Sequence, residues 1–302
     1  MTRAAHIGAL LALALVATAC GERSEPLGAL PQTYPVRVNG AGDRETVLET
    51  RPERIVALDP GSAEIIQAIE AGDRLVGVPA GLARGDSADA EIVVGKTGRV
   101  DVDAIVGLDP DLVVGTPSVD QLDITRAGRE AEAAVYVQPE VSIQSVQQGI
   151  IDLGFLVGEA PAARQLVGRI NRQVAAVEAR LAGQAPVSVF VDTGFFITVP
   201  ERSLLGDLVR RARGQNIAGE NPGPGPFPEA EIAAANPLVY LATSDSGVRL
   251  DALRANRVLQ DVKAVKAGAV EIVPVKLVTR PGPRVAAGLE AVAKALHPDA
   301  FR

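Results

Sequence analysis

Short runs of consecutive apolar residues alternate with longer segments of helical periodicity through most of the chain. The runs at Arg54–Leu58, Leu75–Val78 and Leu112–Gly115 are typical of strands that are buried on both faces. The segments Ser62–Ala71 and Val102–Leu108, which follow two of these runs, have the spacing of helices. This alternation predicts an α/β fold in which helices cover a parallel sheet.

The alternation continues to the C-terminus and is interrupted by one long amphipathic segment. Ala160–Leu181 has no proline after Pro161, and its apolar residues recur at spacings of three and four, which predicts a long helix between two similar α/β blocks. The further predicted elements are a hairpin at Val36–Val38 and Thr46–Glu49, strands at Ala133–Val137, Val187–Val191, Leu238–Ala242 and Val270–Val273, and helices at Ile143–Val157, Leu204–Ala212, Glu231–Ala235, Leu250–Ala255 and Arg284–Leu296.

The two blocks share a short motif in matching places. Asp109-Pro110 separates a predicted helix from a strand in the first block, and Asn236-Pro237 does so in the second. Proline just past a helix end forces the chain to extend before the next strand. The repetition favours a protein of two related lobes.

The N-terminal segment has the pattern of an export signal. Arg3 precedes an apolar run from Ile7 to Val16, and small residues stand before Cys20. The run is shorter than the ~20 residues that a bilayer-spanning helix needs. Cys20 is the only cysteine and resembles the lipidated cysteine of a bacterial lipobox, whereas the alternative is an ordinary signal peptide with an incidental cysteine.

This pattern predicts an exported protein that is lipid-anchored at the outer face of the cytoplasmic membrane, on the periplasmic side if the cell has an outer membrane. The predicted domains are a signal peptide at residues 1–19, a lipid-anchored tether at 20–35, an N-terminal α/β lobe at 36–158, a connecting helix at 159–183 and a C-terminal α/β lobe at 184–302.

The charge balance limits the partners. The 302 residues carry a net charge of −7 at pH 7, and no basic patch stands out in the sequence. This argues against nucleic acid and against an anionic lipid surface as a target. We therefore expect membrane contact through the lipid anchor only, and a monomer.

The residues needed for common catalytic and metal sites are scarce. There are two histidines: His6 lies in the predicted signal, and His297, beside Pro298, is expected to be solvent-exposed. No Ser–His–Asp triad is plausible, and imidazole ligands for a zinc site are lacking. We predict no enzymatic activity, no metal site and no cofactor. A haem would prefer Tyr, His or Met as its ligand, but Tyr136 and Tyr240 lie within predicted strands and are expected in the core.

One short motif invites a nucleotide-binding interpretation. Gly95-Lys96-Thr97 resembles the end of a phosphate-binding loop, but that loop needs a glycine five residues earlier, where Ala90 stands. No strand is predicted directly before it. We therefore reject this interpretation.

Several segments resemble one known family in their order and spacing. The resemblance is carried by residues 54–66, Gly72–Val78, Asp103–Gly115, Gly214–Ile217, Pro226–Glu231 and Arg280–Arg284. Together they are similar to the binding proteins of bacterial ABC importers for ferric siderophores, haem and cobalamin. The resemblance covers the chain from about residue 34 to its end.

The resemblance implies two lobes joined by a rigid helix, a ligand cleft between them and little hinge motion. It also implies that one carboxylate on each lobe docks to the membrane subunits of a permease. In this chain the first falls on Asp103, and the second on Glu229 or Glu231. Acidic residues favoured by the dipole at a helix start are the alternative for each.

Ligands collect at the carboxyl ends of the strands in parallel α/β sheets. Arginine forks suit acidic ligand groups, and phenylalanines supply apolar walls. The alternatives are surface ion pairs for the arginines, core packing for the phenylalanines and a helix cap for Asp59. The candidate ligand-binding residues are Arg99, Arg280, Asp59, Ser62, Phe195, Phe196 and Phe227.

Three functions remain open from the sequence. The first is a lipoprotein that binds an iron chelate, with a ferric siderophore favoured, or alternatively cobalamin or haem, and delivers it to an ABC permease. The second is an exported enzyme on the same architecture. The third is a lipoprotein scaffold without a ligand.

Overall fold

The computed structural model describes residues 32–82, 87, 89–219 and 225–302. The predicted signal peptide and Cys20 lie outside the described residues. Among these residues, no helix has the length and apolarity needed to cross a membrane.

The described chain begins with the expected hairpin. Strands β1 (Val36–Asn39) and β2 (Glu45–Leu48) pair antiparallel, with Val36 opposite Leu48. The hydroxyl of Thr46 donates to the carbonyl of Val135 at 2.6 Å, which ties the hairpin to the last strand of the sheet that follows.

The first α/β block forms a five-stranded parallel sheet, here called the N-lobe. Its order is β5-β4-β3-β6-β7, which places β4 and β6 on opposite sides of β3. The strands are β3 (Ile55–Ala57), β4 (Leu75–Pro79), β5 (Glu91–Val94), β6 (Leu112–Gly115) and β7 (Ala134–Val137), and the helices are α1 (Pro60–Ala68), α2 (Val102–Gly107), α3 (Gln121–Glu130) and α4 (Ile143–Leu156).

The second block, the C-lobe, has a four-stranded parallel sheet in the order β11-β10-β8-β9. Its strands are β8 (Val187–Asp192), β9 (Gly214–Asn216), β10 (Val239–Thr243) and β11 (Val270–Val273). Its helices are α6 (Leu204–Arg211), α7 (Glu229–Ala235), α8 (Leu250–Ala255), α9 (Lys263–Ala267), α10 (Val275–Val278) and α11 (Val285–Leu296).

The predicted long helix is α5 (Ala160–Arg180), which joins the lobes. It packs against α4 of the N-lobe and α11 of the C-lobe. One continuous apolar core contains Ile150 of α4, Ile170 of α5 and Leu289 of α11, all at most 1% exposed. Separating the lobes would open this shared core to water, which is costly at about 25 cal/mol per Å² of apolar surface. The shared core therefore resists hinge motion.

The repeated motif adopts the same backbone in both lobes. Asp109 and Asn236, each directly before a proline, have left-handed φ angles of 45° and 51°. The helices α2 and α7 end at these places, and β6 and β10 follow them. The structure thus confirms the predicted helix–proline–strand repetition.

The structure contains elements that the sequence pattern did not predict. Strand β5 lies at the edge of its sheet, and two of its four residues are exposed, so it lacks a long apolar run. Helix α3 is strongly polar and buries only Ile124, Ala127 and Gly128. Strand β9 and helix α9 are too short to show a period, with three and five residues.

Candidate functional site

The two lobes meet where α1 begins. Gly61 lies in the first turn of this helix and faces the segment 280–284 of the C-lobe. A Cβ atom at Gly61 would stand 2.9 Å from the carbonyl oxygen of Pro281, and one at Gly282 would stand 3.4 Å from the Cα of Gly61. The two glycines let the backbones approach where a side chain would hold them apart. We call this the interlobe contact.

A buried hydrogen-bond network crosses the interlobe contact. The Asp59 carboxylate caps α1 by accepting from the Ser62 amide at 2.9 Å, and it accepts from the Ser62 hydroxyl at 2.6 Å. The Ser62 hydroxyl also lies 3.2 Å from Gln138 Oε1, and Gln138 Nε2 donates to the Pro281 carbonyl at 2.8 Å. Burial raises the pKa of Asp59 to about 6, although the bonds from Ser62 oppose this.

Beside this network, a carboxylate of the N-lobe binds two arginines of the C-lobe. Glu64 Oε1 lies 3.0 Å from Arg280 Nη1 and 2.7 Å from Arg284 Nη2. Arg284 also donates through Nε to Glu64 Oε2 at 3.2 Å, a two-pronged geometry that favours strong pairing. Glu64 and Arg280 are largely buried, with side chains 16% and 20% exposed, whereas Arg284 is 47% exposed.

A cavity of about 510 Å³ opens on the β4 side of the interlobe contact. It contains three basic side chains and one carboxylate, and we call it the cationic cavity. Its lining residues come from both lobes and are Glu64, Gln67, Ala68, Gly81, Lys276, Arg280, Pro283 and Arg284.

A second cavity, of about 240 Å³, opens on the other side of the contact. Its N-lobe residues follow β6 and β7, which lie across β3 from β4. Its C-lobe residues come from the segment before α6, from the first turn of α6 and from the end of α10. We call it the rim cavity. Its lining residues are Ser118, Glu140, Val141, Val199, Arg202, Ser203, Leu204, Leu205, Val278 and Thr279. Two cavities thus flank one contact between the carboxyl ends of the N-lobe strands and the C-lobe.

The structure does not bring Arg99 and Arg280 together. Arg99 is exposed on the turn after the edge strand β5. It lines a cavity of about 630 Å³ whose lining residues all belong to the N-lobe, among them Asp101, Asp103 and Arg126. Asp103 is 92% exposed in the first turn of α2 and lies 3.8 Å from Arg126.

The three candidate phenylalanines differ in their surroundings. Phe196 and Phe227 are half-buried and pack on the core of the C-lobe beside Phe190, whose ring centroid is 5.7 Å from that of Phe227. Phe195 is 84% exposed. It lies on the turn after β8, at the carboxyl edge of the C-lobe sheet.

The two candidate acids of the C-lobe lie in the first turn of α7, after Pro228. Glu231 is exposed and lines a cavity of about 530 Å³ together with Glu201 and Phe227. Glu229 is half-buried. The placement at a helix start matches the prediction, and a role in docking stays a prediction.

Two expectations from the sequence are wrong. His297 is 7% exposed rather than solvent-exposed. It follows the last residue of α11, and its side chain packs against the C-lobe and forms a hydrogen bond with the backbone of Ala212. A strand, β5, does precede Gly95-Lys96 directly. The phosphate-loop interpretation still fails, because the chain after Lys96 turns back in a bridge between Val94 and Val100 instead of starting a helix.

The expectation that two tyrosines lie in the core is confirmed. Tyr136 and Tyr240 are fully buried, and their hydroxyls donate to Asp152 and Asp192 at 3.0 and 2.6 Å.

The described residues contain no group of three or more His, Cys, Asp or Glu side chains that could hold a metal ion. The absence of a metal site stays a prediction.

Sequence reasoning missed Glu64, Gln138 and Arg284. Glu64 occupies an ordinary polar position of a helix, and Gln138 carries no charge. The signal that could have found Glu64 and Arg284 is their opposite charge in two segments that the family resemblance places on facing lobes.

The comparisons with known proteins agree on one family. Residues 55–276 match the family model described as periplasmic binding protein. A cobalamin-binding protein of Halobacterium salinarum is 27% identical over 316 residues, covering 97% of this chain and 85% of that protein. An uncharacterized ABC transporter substrate-binding lipoprotein of Bacillus subtilis, YvrC, is 26% identical over 316 residues, covering 99% of each. The structure of the periplasmic heme-binding protein RhuT from Roseiflexus superposes with a TM-score of 0.71 at 21% identity, covering 82% of this chain and 99% of that one.

Proposed function

The chain belongs to the periplasmic binding protein family, and we propose from this that it captures an iron chelate between its lobes and delivers it to the permease of an ABC importer. It is an ABC transporter substrate-binding protein and not an enzyme. A ferric siderophore with anionic groups is the ligand that we favour. The proposed place is outside the cytoplasmic membrane, held there by a lipid on Cys20.

The cationic cavity is the observation that carries the choice of ligand. Lys276, Arg280 and Arg284 oppose the single carboxylate of Glu64, which leaves a charge of about +2 in a space of about 510 Å³. Guanidinium groups stay charged at every physiological pH, and their planar forks match carboxylate and catecholate oxygens. An acidic chelate would therefore be held by charge-assisted bonds.

The other predicted ligand contacts fit this arrangement to different degrees. Asp59 and Ser62 are buried in the interlobe network, so we propose that they support the floor of the site. Arg99, on an exposed turn of the N-lobe, would reach only a ligand that extends well beyond the cationic cavity. Phe195 stands exposed on the C-lobe side.

We further propose that Asp103 and one of Glu229 and Glu231 dock the permease. All three lie in the first turn of a helix, in matching places of the two lobes. Asp103 and Glu231 are exposed, and Asp103 makes one long ion pair, with Arg126 at 3.8 Å, among the described residues. Their carboxylates are thus free to enter basic pockets on a partner.

A direct binding measurement tests the proposal. The full-length protein, solubilised in mild detergent, would be titrated with a ferric tris-catecholate, a ferric tris-hydroxamate bearing carboxylates, cyanocobalamin and haemin. We expect one of the iron chelates to bind at a ratio of one per chain. The variant R280A should bind it at least tenfold more weakly, since a hydrogen bond to a charged group contributes about 1.5–3 kcal/mol.

The control variant is R249A, because Arg249 is an exposed C-lobe arginine that pairs with Asp251 away from both interlobe cavities. It should bind as the wild type does. Equal affinity of R280A and the wild type would contradict the role of the cationic cavity. Turnover of a chelate would favour the enzyme alternative, and no response to any ligand would favour the scaffold alternative.

Cobalamin is the second candidate ligand. It is favoured by the similarity to the cobalamin-binding protein of Halobacterium salinarum over 97% of the chain. Salt separates the two candidates, because attraction between exposed charges is screened within about 8 Å at 0.15 M ionic strength. Affinity for an anionic chelate should fall when salt is raised to 1 M, whereas cyanocobalamin, which carries no net charge, should bind nearly as before.

A further inference from the structure

The exposed face of helix α5 is basic, although the chain as a whole is acidic. Helix α5 contains four arginines and one glutamate, whereas the 302 residues carry a net charge of −7. All four arginines are exposed, and none of them forms an ion pair among the described residues. The glutamate, Glu178, pairs with Arg211 of α6 at 2.9 Å instead. We call this surface the α5 face, and its arginines are Arg164, Arg169, Arg172 and Arg180.

The arrangement of the α5 face suits a flat and anionic partner. Arg169 and Arg172 stand three residues apart on the helix, a spacing at which like charges repel each other. A partner with negative charge would relieve this repulsion. Ala176 and Ala179 are exposed between Arg172 and Arg180, and their small size leaves the long arginine side chains as the outermost groups.

Each end of the α5 face carries an aromatic ring. The guanidinium of Arg164 lies 5.8 Å from the ring centroid of Phe155 in α4, and that of Arg180 lies 5.3 Å from the ring centroid of Phe301. Phe155 is 40% exposed. The two arginines are separated by about 24 Å along the helix axis. Arginine and phenylalanine together are typical of helices that lie in the interface between water and lipid.

The chain that leads to the predicted lipid anchor begins beside the α5 face. The side chain of Gln32, the first described residue, donates to the carbonyl of Phe155. The hydroxyl of Tyr34 donates to the carbonyl of Leu156 at 3.0 Å, directly before α5. The residues from Cys20 to Gln32 can span at most about 40 Å. A lipid on Cys20 would therefore keep the start of α5 close to the bilayer.

The α5 face lies opposite the interlobe cavities. Helix α4 starts after the carboxyl end of β7 and runs back along the sheet, so α5 begins at the amino edge of the N-lobe sheet. Strand β8 follows α5 closely, so α5 ends at the amino edge of the C-lobe sheet. The interlobe contact lies at the carboxyl ends of the N-lobe strands, and none of the described residues that line its two cavities belongs to α5. A partner on the α5 face would leave both cavities open.

A further positive charge lies at the same edge of the C-lobe. A cavity of about 480 Å³ opens beside the end of α5, and it contains Arg210, Arg211 and Arg213 together with Pro186, directly before β8. Asp207 pairs with Arg210 and Arg211. Arg213 is exposed and forms no ion pair among the described residues. It therefore adds to the positive potential around the α5 face.

We propose that the α5 face binds the anionic headgroups of the membrane that anchors the protein, so that the interlobe cavities point away from the bilayer. The inference goes beyond the proposed function and rests on the lipid at Cys20. Anionic lipids attract basic side chains only within a Debye length, about 8 Å at physiological ionic strength, and the anchor holds the face in that range. This proposal replaces the expectation that the lipid is the only membrane contact, because net charge does not show how the charges are distributed.

A single tryptophan can report where the α5 face lies, because the chain has no tryptophan of its own. The variant A176W places one on this face. The full-length lipidated protein would be reconstituted into vesicles of phosphatidylcholine, alone or with an equal amount of phosphatidylglycerol, that also contain a lipid with a nitroxide on its headgroup. We expect quenching to be about twofold stronger with phosphatidylglycerol, which supplies the negative surface. At about 1 M salt, where the Debye length is about 3 Å, the difference should disappear.

Two control variants separate the α5 face from the anchor and from net charge. The first, L122W, places the tryptophan at a residue that is 81% exposed in the first turn of α3, after the carboxyl end of β6, and it should be quenched weakly in both vesicles. In the A176W background, R164Q/R169Q/R172Q/R180Q should lose the effect of phosphatidylglycerol. The matched variant R129Q/R249Q/R254Q/R257Q removes the same charge from exposed residues elsewhere and should keep it.

Each outcome decides for or against the α5 face. Equal quenching of A176W in the two vesicles, quenching of L122W as strong as that of A176W, or an unchanged effect in the quadruple variant of α5 would overturn the inference. The salt dependence of A176W keeps the test decisive if that quadruple variant does not fold. A protein that attaches to neither vesicle would contradict the anchor and the inference together. Ligand affinity in detergent should be the same in the quadruple variant and the wild type, so failure of the inference leaves the proposed function intact.

Discussion

Gln138 of the N-lobe donates a hydrogen bond to the carbonyl oxygen of Pro281 in the C-lobe, over 2.8 Å and in a fully buried setting. The Oε1 atom of the same amide accepts from the Ser62 hydroxyl of the N-lobe at 3.2 Å. Its Nε2 atom therefore points to the C-lobe. A side chain held at both ends sets the spacing between the lobes. Together with the apolar core that runs through α5, it makes the interlobe site a preformed one.

Removing this amide should destabilise the whole protein. In Q138A the Pro281 carbonyl loses its donor in a buried place, and an unsatisfied buried polar group costs about 1–3 kcal/mol. Urea denaturation should show a lower free energy of unfolding by that amount. The control is Q147A, since Gln147 bonds to Asn171 at an exposed site and its loss should be small. Equal stability of Q138A and Q147A would contradict the role of the interlobe bond.

Asp59 should make stability depend on pH between about 4 and 6. Its pKa is raised from 3.8 to about 6, chiefly by burial and to a smaller extent by the nearby Glu140, while hydrogen bonds from Ser62 and Gly61 oppose the rise. The folded state thus holds more protons than the unfolded state in this range, so stability falls as pH rises through it.

The variant D59N tests this dependence, because asparagine also caps helices but does not titrate. Denaturation at pH 4, 5, 6 and 7 should show a flatter profile for D59N than for the wild type. A protonated Asp59 can donate to Ser62, whose hydroxyl is then free to donate to Gln138, so the protonated form completes the network. Identical profiles would show that Asp59 does not titrate in this range.

His297 should have the opposite effect on the pH profile. Burial lowers its pKa below 6.5, Arg213 lowers it further, and the backbone of Ala212 opposes the shift. Its Nε2 atom has no hydrogen-bond partner within the described residues. Below pH 6.5 the imidazole of His297 therefore binds a proton more readily in the unfolded state than in the folded state, and the free energy of unfolding falls as the pH drops.

The variant H297Q removes this titration and keeps a polar side chain. The comparison is between D59N and D59N/H297Q, so that the titration of Asp59 does not contribute. We expect the free energy of unfolding to fall less between pH 6.5 and pH 5 in the double variant than in D59N. A profile that H297Q leaves unchanged would contradict the buried, neutral histidine.

The hydrophobic pattern predicted the elements that bury either all of their residues or one regular face. Strand β6 is buried at every position, and α5 repeats its apolar residues at helical spacing. The edge strand β5 and the polar helix α3 were not predictable, because each buries only a few residues. The interlobe site was more difficult to predict than the fold, because its contacts join residues that are far apart in the chain. Glu64 binds Arg280, 216 residues away, and Gln138 binds Pro281, 143 residues away.

Reversing the proposed docking acids should separate transport from binding. The triple variant D103K/E229K/E231K should abolish uptake of the ligand by cells while its affinity in solution stays within a few-fold, since these acids line neither interlobe cavity. A control variant, D299K, changes an exposed acid near the C-terminus that pairs with Arg302 and should leave uptake normal. Normal uptake by the triple variant would mean that these acids are ordinary residues of helix starts.

The central claim is that the lobes hold one metal chelate, and the most direct measurement is native mass spectrometry of the full-length protein purified from its own cells under iron limitation. We expect one added mass per chain and, by elemental analysis of the same sample, one metal atom per chain, both of which are lost in the variant K276A/R280A. Iron in the released ligand would identify a siderophore or haem, and cobalt would identify a corrinoid. A protein that carries no added mass, and gains none when iron chelates, haemin and cyanocobalamin are supplied, would contradict the account.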